Sequence, residues 1–165
     1  MSTPELEHAL FDAVARDDAS AVRALLDAGA DVNAKNARED SAFLYAGAEG
    51  LNEILALTLD HGADVTDTNR FGGTALIPAA EHGNVESVRM LVEAGVPVNH
   101  VNDPGWTALL EAVVYGDGSD RYQDVVRLLL GAGADPAIED ADGRTALQHA
   151  ERRGQHAVAA LLRTS

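Results

Sequence analysis

A chain of 165 residues with 46% hydrophobic content and no cysteine can bury one domain-sized core, and it excludes disulfides, thiol catalysis and thiolate metal sites. Its formal net charge of −15, with Lys35 the only lysine, repels phosphate backbones and anionic lipids, so no nucleic acid and no membrane partner is expected and a neutral or basic partner is favoured. The plainer alternative is that the acidic residues keep outer helix faces solvated.

The acidic N-terminal stretch MSTPELEHAL lacks the basic-then-apolar order of a signal peptide, and no apolar run approaches the roughly 20 residues that span a bilayer. A cytoplasmic location is therefore expected. Within that stretch Ser2 and Glu5 have the spacing of a capping box and Pro4 suits a first turn, so a helix is expected to start there, with a partner helix near 19–28. At 8–17 the block HALFDAVARD is the first, degenerate copy of a segment that recurs as SAFLYAGAEG at 41–50, TALIPAAEHG at 74–83, TALLEAVVYG at 107–116 and TALQHAERRG at 145–154.

In the four later copies Ser41, Thr74, Thr107 and Thr145 precede the apolar stretch, where a hydroxyl caps free N–H groups at a helix start. Gly50, Gly83, Gly116 and Gly154 close each short helix with a left-handed residue. A second helix follows, marked by Val22, Leu25 and Leu26, by Leu55 and Leu59, by Val88, Leu91 and Val92, and by Val126, Leu129 and Leu130. Spacings of three and four put these on one buried stripe. Ala13, Ala46, Ala79, Ala112 and Ala150 recur in register on the first helices and let neighbouring pairs approach closely.

Each second helix leads into a Gly-centred segment: LLDAGADVNAKN at 25–36, TLDHGADVTDTN at 58–69, LVEAGVPVNHVN at 91–102 and LLGAGADPAIED at 129–140. Their glycines, Gly29, Gly62, Gly95 and Gly133, are separated by 33, 33 and 38 residues. A period near 33 means a helical unit that cannot bury its apolar face alone and must stack on its neighbours. The longer third interval is a five-residue insertion near 117–122, where GDGSDRYQDVV stands for GNVESV, and it is expected to lengthen the turn between two helices. Tyr122 or Arg121 could fold back there to extend a contact surface.

These blocks resemble the ankyrin repeat, whose motif runs Gly, T-P-L-H-x-A-A, Gly, V-x-x-L-L, G-A-D-V-N. The resemblance covers about residues 4–164 and implies an all-α solenoid of about five stacked helix-turn-helix units joined by projecting turns or hairpins. One domain over 1–165 is expected, with repeats at about 4–36, 37–69, 70–102, 103–140 and 141–165. Two departures stand out. The motif Pro is Ala in every copy, and its His is replaced by Phe11, Leu44, Ile77, Leu110 and Gln148, so the usual polar network beneath the turns should be mostly absent.

The same resemblance implies a concave face made of turn tips and the exposed side of the first helices, where the copies differ. By register the tips are Arg38 and Asp40, Arg70 and Phe71, Asp103 and Trp106, Asp142 and Arg144. The helix positions are Glu49, Glu81 with His82, Val114 with Tyr115, and Arg152 with Arg153. Aromatics are only 4% of the chain, yet Phe71, Trp106, the only tryptophan, and Tyr115 all fall in this set. Such side chains dominate binding hot spots, which makes Phe71, His82, Trp106 and Tyr115 a central patch for a protein or peptide partner. Arg38, Asp40, Arg70, Asp103 and Arg144 would set its orientation. The alternative is that Phe71 and Trp106 pack as lids on neighbouring turns.

Catalytic signals are absent: there is no phosphate loop, dinucleotide fingerprint, Gly-x-Ser-x-Gly or His-Glu-x-x-His motif. Neither a cofactor nor an enzymatic role is implied, and a capped stack is expected to be monomeric. The remaining constellations are Glu111 with His149, equivalent positions that could face each other across adjacent helices, and Asp117, Ser119 and Asp120, oxygen donors without the ligand order of an EF-hand. They carry the alternative of a groove-bound small-molecule or metal-dependent activity. His8, His61, His100 and His156 show no ligand spacing and read as surface or turn residues.

Overall fold

The computed structural model describes all 165 residues as ten helices without strands. They run in pairs: α1 (Thr3–Ala15) with α2 (Ala19–Asp27), α3 (Ala42–Glu49) with α4 (Asn52–Asp60), α5 (Leu76–Glu81) with α6 (Val85–Glu93), α7 (Ala108–Val114) with α8 (Asp120–Gly131), and α9 (Ala146–Arg152) with α10 (His156–Arg163). First helices pack on first helices, as in α3 on α5 and α5 on α7, and second helices pack on second helices, as in α6 on α8. No helix is long and apolar enough to cross a membrane.

Helix starts follow the side-chain chemistry at the N-termini in all first helices but one. Ser2 and Glu5 form a complete capping box, Ser41 and Thr107 accept from the N–H of Leu44 and Leu110, and Thr145 forms a second box with Gln148. Thr74 does not cap. Pro78 has no N–H to give the Thr74 carbonyl, so Ile77 N–H takes that carbonyl at 3.2 Å and the buried Thr74 hydroxyl is left without a partner. The resulting helix, α5, has six residues and an Ala75 cap that offers no side-chain oxygen.

One core cluster of 36 buried residues threads the whole stack. Ala13, Ala46, Ala79, Ala112 and Ala150 are at most 1% exposed, which is what allows first helices to pack backbone to backbone. Val22, Leu26, Leu55, Val88, Leu91, Val126 and Leu129 form the buried stripe of the second helices, with Leu25, Leu59, Val92 and Leu130 half-buried beside it. Asparagines also tie turns together. Asn33 donates to Gly62 O and accepts from Asp64 N–H, and Asn99 does the same with Gly133 and Asp135.

The projecting connections are turns rather than hairpins, and one residue in each organises its loop. Asn36, Asn69 and Asp140 each accept two backbone N–H groups, two and four residues ahead, and Asn102 accepts Trp106 N–H at 2.8 Å. Gly72, Gly105 and Gly143 supply the left-handed residue of three turns, whereas the first turn places Glu39 there at φ 60°. Asp17, standing where later copies have glycine, is likewise left-handed at φ 54°.

The insertion differs from the expected longer turn. Three of its residues extend α8 to twelve residues against nine in α2, α4 and α6, and the remainder lengthens the turn at 115–119. Gly118, at φ 73°, takes the left-handed role expected of Gly116. Tyr122 folds inward instead of adding contact surface: it is 8% exposed and its hydroxyl donates to Glu81 O at 2.7 Å. Its ring occupies the space that side chains at Gly83 and Gly116 would need. From the next repeat Gln155 reaches back and donates to Val113 O and Gly116 O at 3.0 and 3.3 Å.

Candidate binding cleft

A cleft of about 830 Å³ runs along the exposed side of α1, α3, α5 and α7 under the turn tips. Seven of the nine residues expected to meet a partner line it: Arg38, Asp40, Arg70, Phe71, His82, Trp106 and Tyr115. Asp103 and Arg144 do not. Asp103 packs its carboxylate on Gly72 and donates its N–H to Phe71 O at 2.9 Å, so it joins two turns. Arg144 lies beyond the cleft beside Gln148 and Glu151.

The aromatic set divides in two. Phe71 and Tyr115 are 50% and 57% exposed, uncommon for such side chains, and Arg70 holds its guanidinium 4.6 Å over the Phe71 ring while reaching Asp40 at 3.9 Å. Trp106 is half-buried against the core. Its ring meets Tyr115 edge to face at 6.4 Å and the His149 ring at 6.0 Å, so it is both a packing residue and part of the cleft wall. His82 is exposed, with Nδ1 hydrogen-bonded to Ala48 O of the preceding repeat at 2.8 Å.

Glu111 and His149 are not partners. Each is held by the turn residue nine positions before it: Asn102 Nδ2 donates to Glu111 Oε1 at 3.1 Å, and His149 Nε2 meets Asp140 Oδ2 at 2.6 Å. Both side chains lie deep in the structure, with Glu111 at the cleft and His149 behind Trp106. The polar network beneath the turns therefore exists in two repeats, built one position later than the motif's His. Burial, and after it the neighbouring Glu81 carboxylate, push the Glu111 carboxyl up to about 7. For Asp140, burial acts upward, but the Arg144 N–H, the His149 ring and the Asp142 N–H together hold it below the usual range.

That register position carries a different residue in every repeat: Asp12, Tyr45, Pro78, Glu111 and His149. The first four line the cleft, and no role was assigned from the sequence to Asp12, Tyr45 or Pro78. Their variability was visible in the aligned blocks. The insertion contributes nothing to the cleft: Asp117 accepts from Ser119 N–H within its own turn, and no three His, Asp or Glu side chains anywhere are arranged to hold a metal ion.

A family model described as ankyrin repeats in three copies matches residues 43–140, and one for a single ankyrin repeat matches 6–37. Among solved structures, an ankyrin repeat domain from Acinetobacter baumannii AYE is 56% identical over 94% of this chain and 79% of its own, with a TM-score of 0.93. The ankyrin repeat protein EF0377 is 46% identical over 93% of this chain and 78% of its own, with a TM-score of 0.89. No curated protein matches the chain.

Proposed function

The chain belongs to the ankyrin repeat family, and on that footing we propose that it captures a neutral or basic protein or peptide in the cleft beneath its turn tips. Ankyrin repeats are generally protein interaction modules, and their fold is typically a non-catalytic scaffold. The reading takes the five repeats as one monomeric domain and gives it no chemistry of its own.

The observation that carries it is the exposure of Phe71 and Tyr115 beside Trp106 on a single cleft. A soluble chain with so few aromatics gains nothing in stability by leaving two of them half in water, whereas a partner that covers them gains contact area at low entropy cost. Arg38, Arg70 and Asp40 at the rim give the partner a preferred orientation. The test is affinity capture from the source cell with wild type and with the Phe71→Ala, Trp106→Ala, Tyr115→Ala triple variant. A protein retained by wild type and lost by a triple variant that still melts cooperatively is the expected result. Capture that is unchanged would remove this reading.

A further inference from the structure

Five carboxyl side chains line the cleft, and two of them, Glu81 and Glu111, stand together with no cation paired to either. Glu111, in the first turn of α7, is 6% exposed yet lines the cleft; Asn102 Nδ2 donates to its Oε1, and its other side-chain hydrogen bond is to the Glu81 carboxyl, which two carboxyls make only by holding a proton between them. Glu81, at the end of α5, stands on the same wall. None of the eight ion pairs in the protein involves either residue. Arg70 lines the same cleft but is committed to Asp40 and to the Phe71 ring, and Arg38, at the first turn tip, forms no ion pair with either carboxyl.

Two carboxyls side by side in a partly buried site are relieved only by a proton held between them or by a positive charge brought to them. The elevated pKa of Glu111 is the same frustration seen through its proton. A metal ion does not suit the donor set, since no third ligand converges. Trp106 and Tyr115 line the cleft with these carboxyls, and aromatic faces next to carboxylates favour a planar guanidinium, which stacks and donates two parallel hydrogen bonds at once. The net charge of −15 draws such a group in from solution.

Given the cleft as the partner-binding surface, the geometry points to an arginine slot: the bound segment lays an arginine side chain onto the paired carboxyls of Glu81 and Glu111, flanked by Trp106 and Tyr115, in place of the proton they share. The probe is a randomised peptide library selected on wild type, on the aromatic triple variant and on Glu81→Gln/Glu111→Gln, whose amides keep the size of the side chains and an acceptor for Asn102. Peptides that fail on the triple variant are expected to share an arginine at one position. Replacing that arginine with citrulline, which keeps the shape and removes the charge, should weaken binding to wild type at least tenfold and to the double amide variant less than twofold.

Triple-variant-sensitive peptides without a shared arginine, or ones that bind the double amide variant as tightly as wild type, overturn the slot and leave the cleft reading standing. A library that yields no peptide sensitive to the triple variant overturns both. A thermal melt of the double amide variant at or above the wild-type midpoint establishes that its lost binding is not lost folding.

Discussion

Two regions break the 33-residue pattern, and they break it on opposite sides of the fourth repeat. On one side Phe71, Trp106, Tyr115 and the pair Glu81 and Glu111 line an open cleft. On the other, the inserted residues lengthen α8 and sink Tyr122 between Gly83 and Gly116, where Gln155 locks the turn from the next repeat. Both looked like decoration on a regular stack. The difference lies in where the extra side-chain area goes: inward against backbone at the insertion, outward toward solvent at the cleft. In a repeat protein, irregularity marks a specialised position, and burial decides whether the speciality is holding the stack together or meeting something else.

The comparison breaks most sharply at Tyr122. Tyr122→Ala should lower unfolding stability by about 3 kcal/mol, since it removes a buried ring and orphans the Glu81 carbonyl, while Tyr122→Phe costs about 1 kcal/mol. Urea midpoints measure both, and partner capture below the midpoint should survive each. Gln155→Ala comes next, at about 1–2 kcal/mol, because Val113 O and Gly116 O lose their shared donor in a buried turn. If neither substitution shifts the midpoint, the insertion is not a structural clamp and the contrast with the cleft collapses.

A pH titration sharpens the cleft side. Folded Glu111 holds its proton up to about 7, whereas its ordinary value is 4.5, so across that window the folded chain binds a proton that the unfolded chain has released. Stability from this group is therefore full below pH 4.5 and is lost as pH rises through 7. The melting temperature of wild type should fall between pH 5 and pH 8 more steeply than that of Glu111→Gln, and the two curves should converge toward the acid end. The smallest effect belongs to Phe71→Ala, which should change stability by less than about 0.5 kcal/mol while weakening partner capture. A large loss of stability there would make Phe71 a lid on its turn.

Much of this architecture was legible because it is periodic. The glycine ladder, the small alanines and the hydroxyl caps repeat in register, and each has a local physical cause that neighbouring copies do not alter. What escaped depends on residues interacting across that register. Thr74 reads as a cap until Pro78, four residues on, withdraws the N–H that would have occupied its carbonyl. GDGSDRYQDVV is compatible with a long turn or a longer helix, and only the hole between Gly83 and Gly116 that Tyr122 fills selects the second. Glu111 and His149 share a register position on adjacent helices, but a side chain in the first turn of an inner helix lies nearer its own turn residue than the next helix, so Asn102 and Asp140 claim them. The cleft was largely legible at its tips and missed at Asp12, Tyr45 and Pro78, whose shared register position varies as much as the tips do.

The brevity of α5 has a consequence for anyone wishing to cut the molecule down. Six residues with no side-chain cap are far below the length at which a helix sustains itself, so this segment is ordered only because α3, α6 and α7 surround it. Yet it presents Pro78, Glu81 and His82 to the cleft. The floor of the cleft is thus borrowed order, lent by the repeats on either side, and the smallest fragment able to display it is the third repeat together with both of its neighbours.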